Sequence, residues 1–364
     1  MEFAFTEDQT ELRAIVAAFL AGHASSDTVR AAALEGDGFA REPWARLVGE
    51  MELTGLAIGL DRGGSGASFV EVGIALEELG RTLLPVPYLP TVVAAAALGG
   101  ADATGAAAEA LERIAGGAVA TVALADPAAL RGGGAAPALD GEVGHVLDAA
   151  HAEIFVCAAE LDGEPTLVAV DRGAAGVEVD PATTLDQTRR QGTLRLEGAP
   201  ARALVAPGAG GAALLRGRDV ASVALALEAV GAAARCLEVT VEYLGERVQF
   251  GRPIGSFQAL KHRCADLVAE LEAARSTAYY ASWAVDAAPE ELPSLAPLAA
   301  AVGNDALLHV AGESIQLHGG IGFTWEHDAH LYFKRAKATD LLGGGSRALR
   351  DRAAERAGIL EVTR

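Results

Sequence analysis

Apolar residues repeat at helical spacing across the centre of the chain, on both sides of one short turn. Before the turn they recur every three or four residues: Val220, Val223, Leu227, Val230, Ala234, Leu237, Val241 and Leu244. After the turn the same interval returns: Leu260, Cys264, Leu267, Leu271, Ala274, Ala278, Ala281 and Val285. Each stripe predicts a long amphipathic helix. Because the connection is short, we expect the two helices to be antiparallel, each covering the other's stripe.

The first third of the chain has helical patterning throughout. Thr6 to Gln9 and Ser68 to Glu71 have the form of capping boxes, which open helices. Prolines at 85, 87 and 90 end the second of these helices, and Ala-rich helices are expected over 90–115. Residues 1–115 are therefore predicted to form an N-terminal α-helical domain.

The periodicity changes near Gly116. Short β-prone runs separated by Gly, Pro and Asp follow at 119–124, 153–157, 166–170, 176–179 and 193–196. They predict a middle β domain over 116–206, built as a small antiparallel sheet or barrel. A Gly- and Ala-rich linker is expected over 207–217 and a Pro-bounded loop over 289–297, with further helices at about 298–317, 326–341 and 347–356. The predicted fold is thus α+β and multidomain, and residues 207–364 form a C-terminal four-helix bundle.

The turn between the two central helices is basic and rich in helix breakers. Gly251, Pro253 and Gly255 interrupt both helices, and Ser256 is expected to cap the second. Arg247, Gln249, Arg252 and the amides that open the second helix then point towards one place, which suits an anion such as a phosphate. An ordinary helical hairpin with solvated arginines is the alternative.

The composition and net charge of the chain argue against some classes of binding partner. The 364 residues carry a formal net charge of −20, with 51% hydrophobic and 21% charged residues, which is typical of a globular protein. So acidic a chain is not expected to bind nucleic acid or an anionic membrane. An anionic small molecule would need a local basic patch, and the segment 247–263 is one.

Cysteine usage and the N-terminus point to a cytoplasmic protein. Cys157, Cys236 and Cys264 are odd in number and are expected to be free thiols, buried in a reducing compartment. No secretory signal is expected, because the first five residues show no basic region before an apolar run. Glu228 and Arg235 interrupt the apolar run at 220–227 short of the roughly 20 residues of a membrane span. No metal site is expected.

Two segments resemble the C-terminal signatures of the acyl-CoA dehydrogenase family of flavoproteins. They are ERVQFGRPIGSFQALKHRCAD at 246–266 and QLHGGIGFTWEHDAHLYFKR at 316–335. The layout of helices, β domain and bundle is similar to the family's along the whole chain. Similarity of individual residues begins at about Gly231.

The resemblance implies FAD as cofactor and assigns two groups of binding residues. The first contacts the pyrophosphate or adenosine half of an FAD that belongs largely to a neighbouring subunit: Arg247, Gln249, Phe250, Phe257 and Gln258. The second lines the adenine and ribose: Gln316, Leu317, His318, Gly319 and Gly320. The structural alternatives are that Phe250 and Phe257 are core residues, that Arg247 is a helix C-cap, that the Gly-Gly pair ends a helix, and that His318 is a capping or packed histidine. A solvated face is the simpler interpretation of Lys334, Arg335 and Lys337.

The resemblance also implies an activity, the α,β-dehydrogenation of an acyl-CoA thioester. In the family a carboxylate removes the α proton while a hydride passes from Cβ to the flavin. Here Gly343 aligns with the usual glutamate and Ala221 with its alternative position, so the catalytic base is unknown; Asp219 is a substitute candidate. The middle-domain flavin motif is reduced to Leu124-Ala-Asp-Pro127.

Three hypotheses follow. In the first, the chain is an acyl-CoA dehydrogenase subunit that lacks its own glutamate and completes the FAD site of another subunit, with an electron-transfer flavoprotein as electron acceptor. The resemblance points to lipid or steroid catabolism and to a dimer or tetramer, homo- or hetero-oligomeric. In the second, the chain is a self-sufficient homo-oligomeric flavoenzyme whose base is displaced. In the third, it is a non-enzymatic scaffold that has lost flavin.

Overall fold

The structure is a computed structural model that describes residues 4–99, 103–134, 136–205 and 209–359. Helices occupy both ends of the chain and strands lie between them. The α-helices are α1 (Glu7–His23), α2 (Ser26–Arg30), α3 (Arg41–Gly49), α4 (Phe69–Thr82), α5 (Tyr88–Ala97), α6 (Ala106–Ala115), α7 (Gly210–Glu246), α8 (Gln258–Ala287), α9 (Leu292–His318), α10 (Ala329–Leu342) and α11 (Ser346–Arg356). The predicted fold class, helical domain followed by β domain and helical bundle, is confirmed.

The strands form one mixed sheet and one small hairpin. They are β1 (Ala120–Ala123), β2 (Leu130–Gly133), β3 (Ala138–Leu147), β4 (Ile154–Leu161), β5 (Glu164–Asp171), β6 (Val177–Pro181), β7 (Gln191–Pro200), β8 (Arg202–Ala203), β9 (Val248–Gln249) and β10 (Arg252–Pro253). The large sheet has the order β6-β7-β3-β2-β4-β5-β8, with β1 beside β4. Both β1 and β2 run parallel to β4, so the sheet is not purely antiparallel as predicted.

Two compact units share the chain. One comprises residues up to 30, 73–84 and 222 onward; the other comprises 31–72 and 85–221. The second unit contains the large sheet, with α3, α5, α6 and a five-residue π-helix at Ala31–Glu35. The proposed boundaries at 115 and 206 stay a prediction.

The first unit is a bundle in which α7 is the central helix. Its backbone meets that of α4, because a Cβ at Gly231 would lie 1.8 Å from the carbonyl oxygen of Glu77 and a Cβ at Gly80 2.1 Å from that of Glu228. Only glycine permits so close an approach at these two positions. Parallel to α7 runs α9, joined to it by a 2.9 Å hydrogen bond between the hydroxyls of Thr240 and Ser314.

Helix α8 runs antiparallel to α9 in the same bundle, as the side-chain contacts His309–Glu270 and Arg263–Glu313 show. Most of the predicted stripe residues are buried. Exceptions lie near the turn, where Val241 is 50% exposed and Leu260 and Cys264 are half-buried. Burial raises the pKa of the Cys157 thiol to about 12 and raises that of Cys236 as well, so both are buried thiols as expected.

Three local predictions were wrong. The loop predicted at 289–297 extends only to residue 291, because α9 begins at Leu292 with Pro293 in its first turn, where no backbone N–H is needed. Pro297 lies inside the helix and cannot donate to the carbonyl of Pro293; the guanidinium of Arg356 donates to it instead, at 3.0 Å.

Likewise, 210–217 is helical and not a linker, since α7 starts at Gly210 and the Ala and Leu residues that follow favour a helix; residues 207 and 208 lie outside the described residues. Arg335 is not on a solvated face: it is 3% exposed and pairs with Glu228 at 3.2 Å.

Two helices have the length and apolar composition of membrane spans. They are α7 and α9, and 78% and 61% of their apolar windows are buried within the structure. The expectation that charges alone exclude a span of that length was therefore wrong. Buried core helices pass the same test, and a cytoplasmic location stays a prediction.

Candidate cofactor-binding site

The turn between α7 and α8 is a tight two-residue hairpin. Gln249 pairs with Arg252 and Val248 with Pro253, which leaves Phe250 and Gly251 at the tip. Both tip residues have positive φ, 53° and 75°, as a type I′ turn requires. Glycine adopts this conformation freely, but for phenylalanine it is costly. The strain is therefore concentrated at a residue that the family resemblance assigns to the cofactor.

The two phenylalanines of the turn have different surroundings. Phe250 is 90% exposed, so the alternative interpretation of it as a core residue is wrong. Phe257 is half-buried beneath the guanidinium of Arg252, whose central carbon lies 4.0 Å from the ring centroid. The two rings meet edge to face at 6.1 Å. The exposed ring of Phe250 thus contacts Phe257, whose face is covered by the cation of Arg252.

Cations of the turn have no carboxylate partner within the part of the chain that the structure describes. Arg247, Arg252 and Lys261 make no ion pair there, and the Arg247 side chain makes no hydrogen bond either. In contrast, Arg13, Arg81 and other arginines of the same unit are paired with acids. Uncompensated positive charge in a protein of net charge −20 favours an anionic ligand at this turn.

Ser256 does not cap α8 as predicted. Residues Ile254–Ser256 form one 3₁₀ turn, so Phe257 takes the N-cap position and offers no side-chain bond. The hydroxyl oxygen of Ser256 is buried and has no hydrogen-bond partner among the described residues. Such orphaned buried groups are uncommon in proteins and are compatible with a ligand that completes them.

The second segment ends α9 with an open backbone. Gly319 has φ 63° and ends the helix by donating to the carbonyl of Gln316 at 3.1 Å. A Cβ added at Gly319 or Gly320 would meet no atom within 4 Å among those described, and both glycines are exposed, as is Gln316. Leu317 and His318 are buried, at 6% and 3% exposure, so these two support the segment from inside.

The fold brings the two segments to the same end of the bundle. The ring of His318 lies 4.6 Å from that of Tyr243, in the last turn of α7, and the N–H of Arg247 donates to the carbonyl of Tyr243. Arg247, four residues after Tyr243, and Gln316, two residues before His318, therefore both lie next to this one ring contact. Tyr243 had not been singled out from the sequence, because only the register of α7 against α9 reveals it.

These residues fit the dinucleotide part of FAD. Forked arginine donors suit a pyrophosphate, an exposed phenylalanine suits an adenine face, and glycines without neighbours let a ligand approach the backbone. The ten binding residues assigned above remain a prediction.

The positions where a catalytic base is expected carry none. Gly343 directly follows α10, with its missing Cβ directed at the side chains of Leu349 and Asn304, 3.0 and 3.6 Å away. Ala221 lies on α7. Asp219, the substitute candidate, is only 5% exposed.

Comparison with known proteins gives the same family on independent grounds. The profile of the acyl-CoA dehydrogenase N-terminal domain matches residues 6–108 and that of the C-terminal domain matches 208–358. Acyl-CoA dehydrogenase IpdE2 of Mycobacterium tuberculosis is 38% identical over 91% of this chain and 91% of its own.

Two solved structures are similar over nearly the whole chain. A variant of the Tcur3481-Tcur3483 steroid ACAD is 31% identical, covers 97% of this chain and 98% of its own, and has a TM-score of 0.88. The ChsE4-ChsE5 complex of Mycobacterium tuberculosis is 27% identical, with full coverage of both chains and the same TM-score of 0.88.

The fold is that of the acyl-CoA dehydrogenases, a family of flavoprotein oxidoreductases that act on CH–CH bonds. The chain belongs to the acyl-CoA dehydrogenase family.

Proposed function

We propose that this chain is a subunit of a hetero-oligomeric acyl-CoA dehydrogenase, in which it completes the FAD site of a partner and contributes no base of its own. The observation that carries the proposal is a contrast within one bundle. The turn at 247–258 keeps unpaired cations and a strained, exposed aromatic residue, whereas Gly343 ends α10 without any carboxylate.

The first segment would hold the pyrophosphate. Arg247 is free to present its fork of N–H donors, and the first N–H groups of α8 offer further donors with the favourable end of the helix dipole. Gln249 and Gln258 are exposed and would supply neutral hydrogen bonds. Phe250 would cover one face of a planar ring.

The second segment would border the adenosine. Gly319 and Gly320 leave the backbone accessible, and Gln316 provides an amide for hydrogen bonds. Buried Leu317 and His318 would keep this backbone in place.

When bound, FAD supplies the acceptor for the hydride that leaves Cβ of the acyl group. This chain's residues would bind and orient the cofactor's dinucleotide end and exclude water from it. Removal of the α proton would fall to a carboxylate of the partner, because neither Gly343 nor Ala221 carries one.

The partner and substrate class are inferred from related proteins. The two similar structures are each of a pair of components, the Tcur3481-Tcur3483 steroid ACAD and the ChsE4-ChsE5 complex. We infer that the partner is a catalytically complete subunit of the same family, that the substrate is a bulky, steroid-derived acyl-CoA, and that an electron-transfer flavoprotein reoxidises the flavin.

The test compares the tagged chain alone with its native complex, captured from the source cells. We expect absorbance at 450 nm to show stoichiometric flavin only in the complex. Arg247→Gln should lower the flavin content of the complex several-fold, while Arg352→Gln, an exposed arginine on α11, should leave it unchanged. A chain that alone holds stoichiometric FAD and reduces a dye with acyl-CoA would overturn the proposal.

The self-sufficient alternative would need Asp219 as base. Asp219→Asn keeps the size of the side chain and removes the proton acceptor. We expect the complex to retain its dehydrogenase activity with this variant. A loss of about 10²-fold or more, the usual contribution of a general base, with an unchanged melting temperature would favour the alternative.

A further inference from the structure

Three aromatic rings form a continuous row behind the second segment. Tyr243 at the end of α7 contacts His318 at the end of α9, with ring centroids 4.6 Å apart. His318 in turn contacts His327, just before α10, at 4.3 Å. The row therefore joins three helix ends around the backbone at Gln316–Gly320.

Hydrogen bonds define where the imidazole protons lie. His318 donates from Nδ1 to the carbonyl of Ser314 at 2.7 Å, since a carbonyl can only accept. The Nδ1 of His327 accepts from the backbone N–H of Ala329, the first residue of α10, at 3.1 Å. Neutral His327 must therefore carry its proton on Nε2. The Nδ1 lone pair of His327 thus accepts from one of the backbone N–H groups in the first turn of α10, which have no partner within the helix.

We propose that Tyr243, His318 and His327 are positioning residues, whose contacting rings hold Gln316–Gly320 in place against the turn at Arg247. The inference rests on the proposed function, because it assigns these rings a role in the same cofactor site. In this proposal His327 fixes the segment through its contact with His318 and its hydrogen bond to the first residue of α10.

Protonation would dismantle this arrangement in two ways. A proton on Nδ1 of His327 removes the acceptor of the Ala329 N–H and places a cation at the positive end of α10. It also brings a charge to within ring contact of His318, which is 3% exposed.

The titratable and charged groups that face His327 are His318 from α9, Arg30 from α2 and the adjacent Asp328. Arg30 is engaged by Asp328 at 2.7 Å and by the carbonyl of Trp325 at 2.8 Å, so the acid's charge is largely compensated. In agreement, burial first and the proximity of His318 second lower the pKa of His327 below its ordinary value.

The first experiment uses the full chain alone and needs no cofactor. Hydrogen exchange of the amides at 316–331 is measured at pH 7.5 and pH 5.5 and expressed as protection factors. We expect protection to fall by up to about tenfold at the lower pH, the limit for one imidazole of ordinary pKa that must be neutral in the closed state.

The variant His327→Asn tests the hydrogen bond accepted by His327 separately from the size of its ring. An Asn side chain can accept from the N–H two residues later and does not titrate, so protection should become independent of pH. His327→Phe keeps a ring and removes the acceptor, so its protection should be low at both pH values. His145→Asn, at an exposed histidine of the other unit, should behave as the unaltered chain does. A fall in protection at pH 5.5 that persists in His327→Asn would overturn the role given to His327.

The second experiment measures flavin retained by the native complex after gel filtration at the two pH values. We expect several-fold less flavin at pH 5.5 than at pH 7.5, and no such difference with His327→Asn. Hydrogen exchange could depend on pH through His327 while flavin retention is the same at both pH values. That result would overturn the positioning role and leave the proposed function standing. A complex without flavin at pH 7.5 overturns both.

Discussion

The phenol of Tyr279 on α8 donates a hydrogen bond of 2.6 Å to the carboxylate of Glu77 on α4, a residue of which only 1% is exposed. Arg275 approaches the other carboxylate oxygen at 3.1 Å, and Arg13 of α1 pairs with the same group. One buried carboxylate thus links three helices. Such a charge is tolerated only because it is paired and hydrogen-bonded.

Removing this carboxylate should be costly. In Glu77→Ala two arginines lose their buried partner, and we expect the free energy of unfolding to fall by about 3–5 kcal/mol. Tyr279→Phe removes one hydrogen bond to a charged group and should cost about 1.5–3 kcal/mol. Urea denaturation measures both, with Glu11→Ala on the exposed face of α1 as control, expected within about 0.5 kcal/mol of the parent. A Glu77→Ala loss as small as the control's would contradict the linking role.

Phe250, at the strained tip of the turn, is expected to lower the stability of the chain and to strengthen cofactor binding. Phe250 has φ 53° and is 90% exposed, so Phe250→Asn relieves strain without loss of packing. We expect a gain of about 1 kcal/mol in the free energy of unfolding of the chain and less flavin in the native complex. Gly251→Ala, at φ 75°, is the opposite case and should destabilise the chain by about 1 kcal/mol. Full flavin content in Phe250→Asn would mean that the phenylalanine is not a cofactor contact.

The absence of an acid at position 343 is not imposed by the backbone. Gly343 has φ −74° and ψ −10°, which any residue adopts, whereas Gly344 has φ 87°. Gly343→Glu should therefore fold, but its Cβ would lie 3.0 Å from the fully buried side chain of Leu349, which must give way. We expect the free energy of unfolding to fall by about 1–3 kcal/mol. Gly344→Ala should cost about 1 kcal/mol.

We further expect Gly343→Glu alone to show no dehydrogenase activity with acyl-CoA and a dye. The reason is that the proposed flavin belongs to the partner. Activity gained by the isolated variant would instead indicate a complete flavin site within this chain.

Stability should fall in mild acid through a histidine of the other unit. His151 donates from Nε2 to the carbonyl of Asp37 at 3.3 Å, and burial lowers its pKa below the ordinary 6.5. A lowered pKa means that the unfolded chain binds the proton more tightly, so the stabilisation is complete above pH 6.5 and is lost as pH falls below it. Thermal unfolding between pH 7.5 and 5.5 measures the loss. His151→Phe should flatten this dependence; an unchanged slope would exclude His151 as a source.

The sequence predicted the elements whose signal is local. The stripe from Leu267 to Val285 is buried as its spacing requires, and the capping box at Thr6 is present. In contrast, β3 (Ala138–Leu147) was missed, because its pairing with β7 is broken by two register shifts that disrupt the alternation of apolar and polar residues. Pro297 also misled the prediction, since the donor that makes it tolerable comes from Arg356, far along the chain.

Part of the candidate site could likewise be predicted from the sequence, and part could not. The turn could be located from its glycines and arginines, and the second segment from its resemblance to a known family. The row of Tyr243, His318 and His327 could not, because it depends on the register of α7 against α9. That register is set by contacts such as the close approach of Gly303 to Ala226, where an added Cβ would lie 3.2 Å from the neighbouring backbone.

The alternation of the two compact units along the chain has a consequence for biosynthesis. The bundle unit uses residues up to 30, then 73–84, then 222 onward, whereas the sheet-containing unit is complete once residue 221 has been made. On the ribosome the sheet can therefore form while α1 and α4 still await α7, α8 and α9. During that interval the apolar faces of α1 and α4 and the acid Glu77 are without their partners, and exposed apolar surface of this kind makes an incomplete chain prone to aggregation.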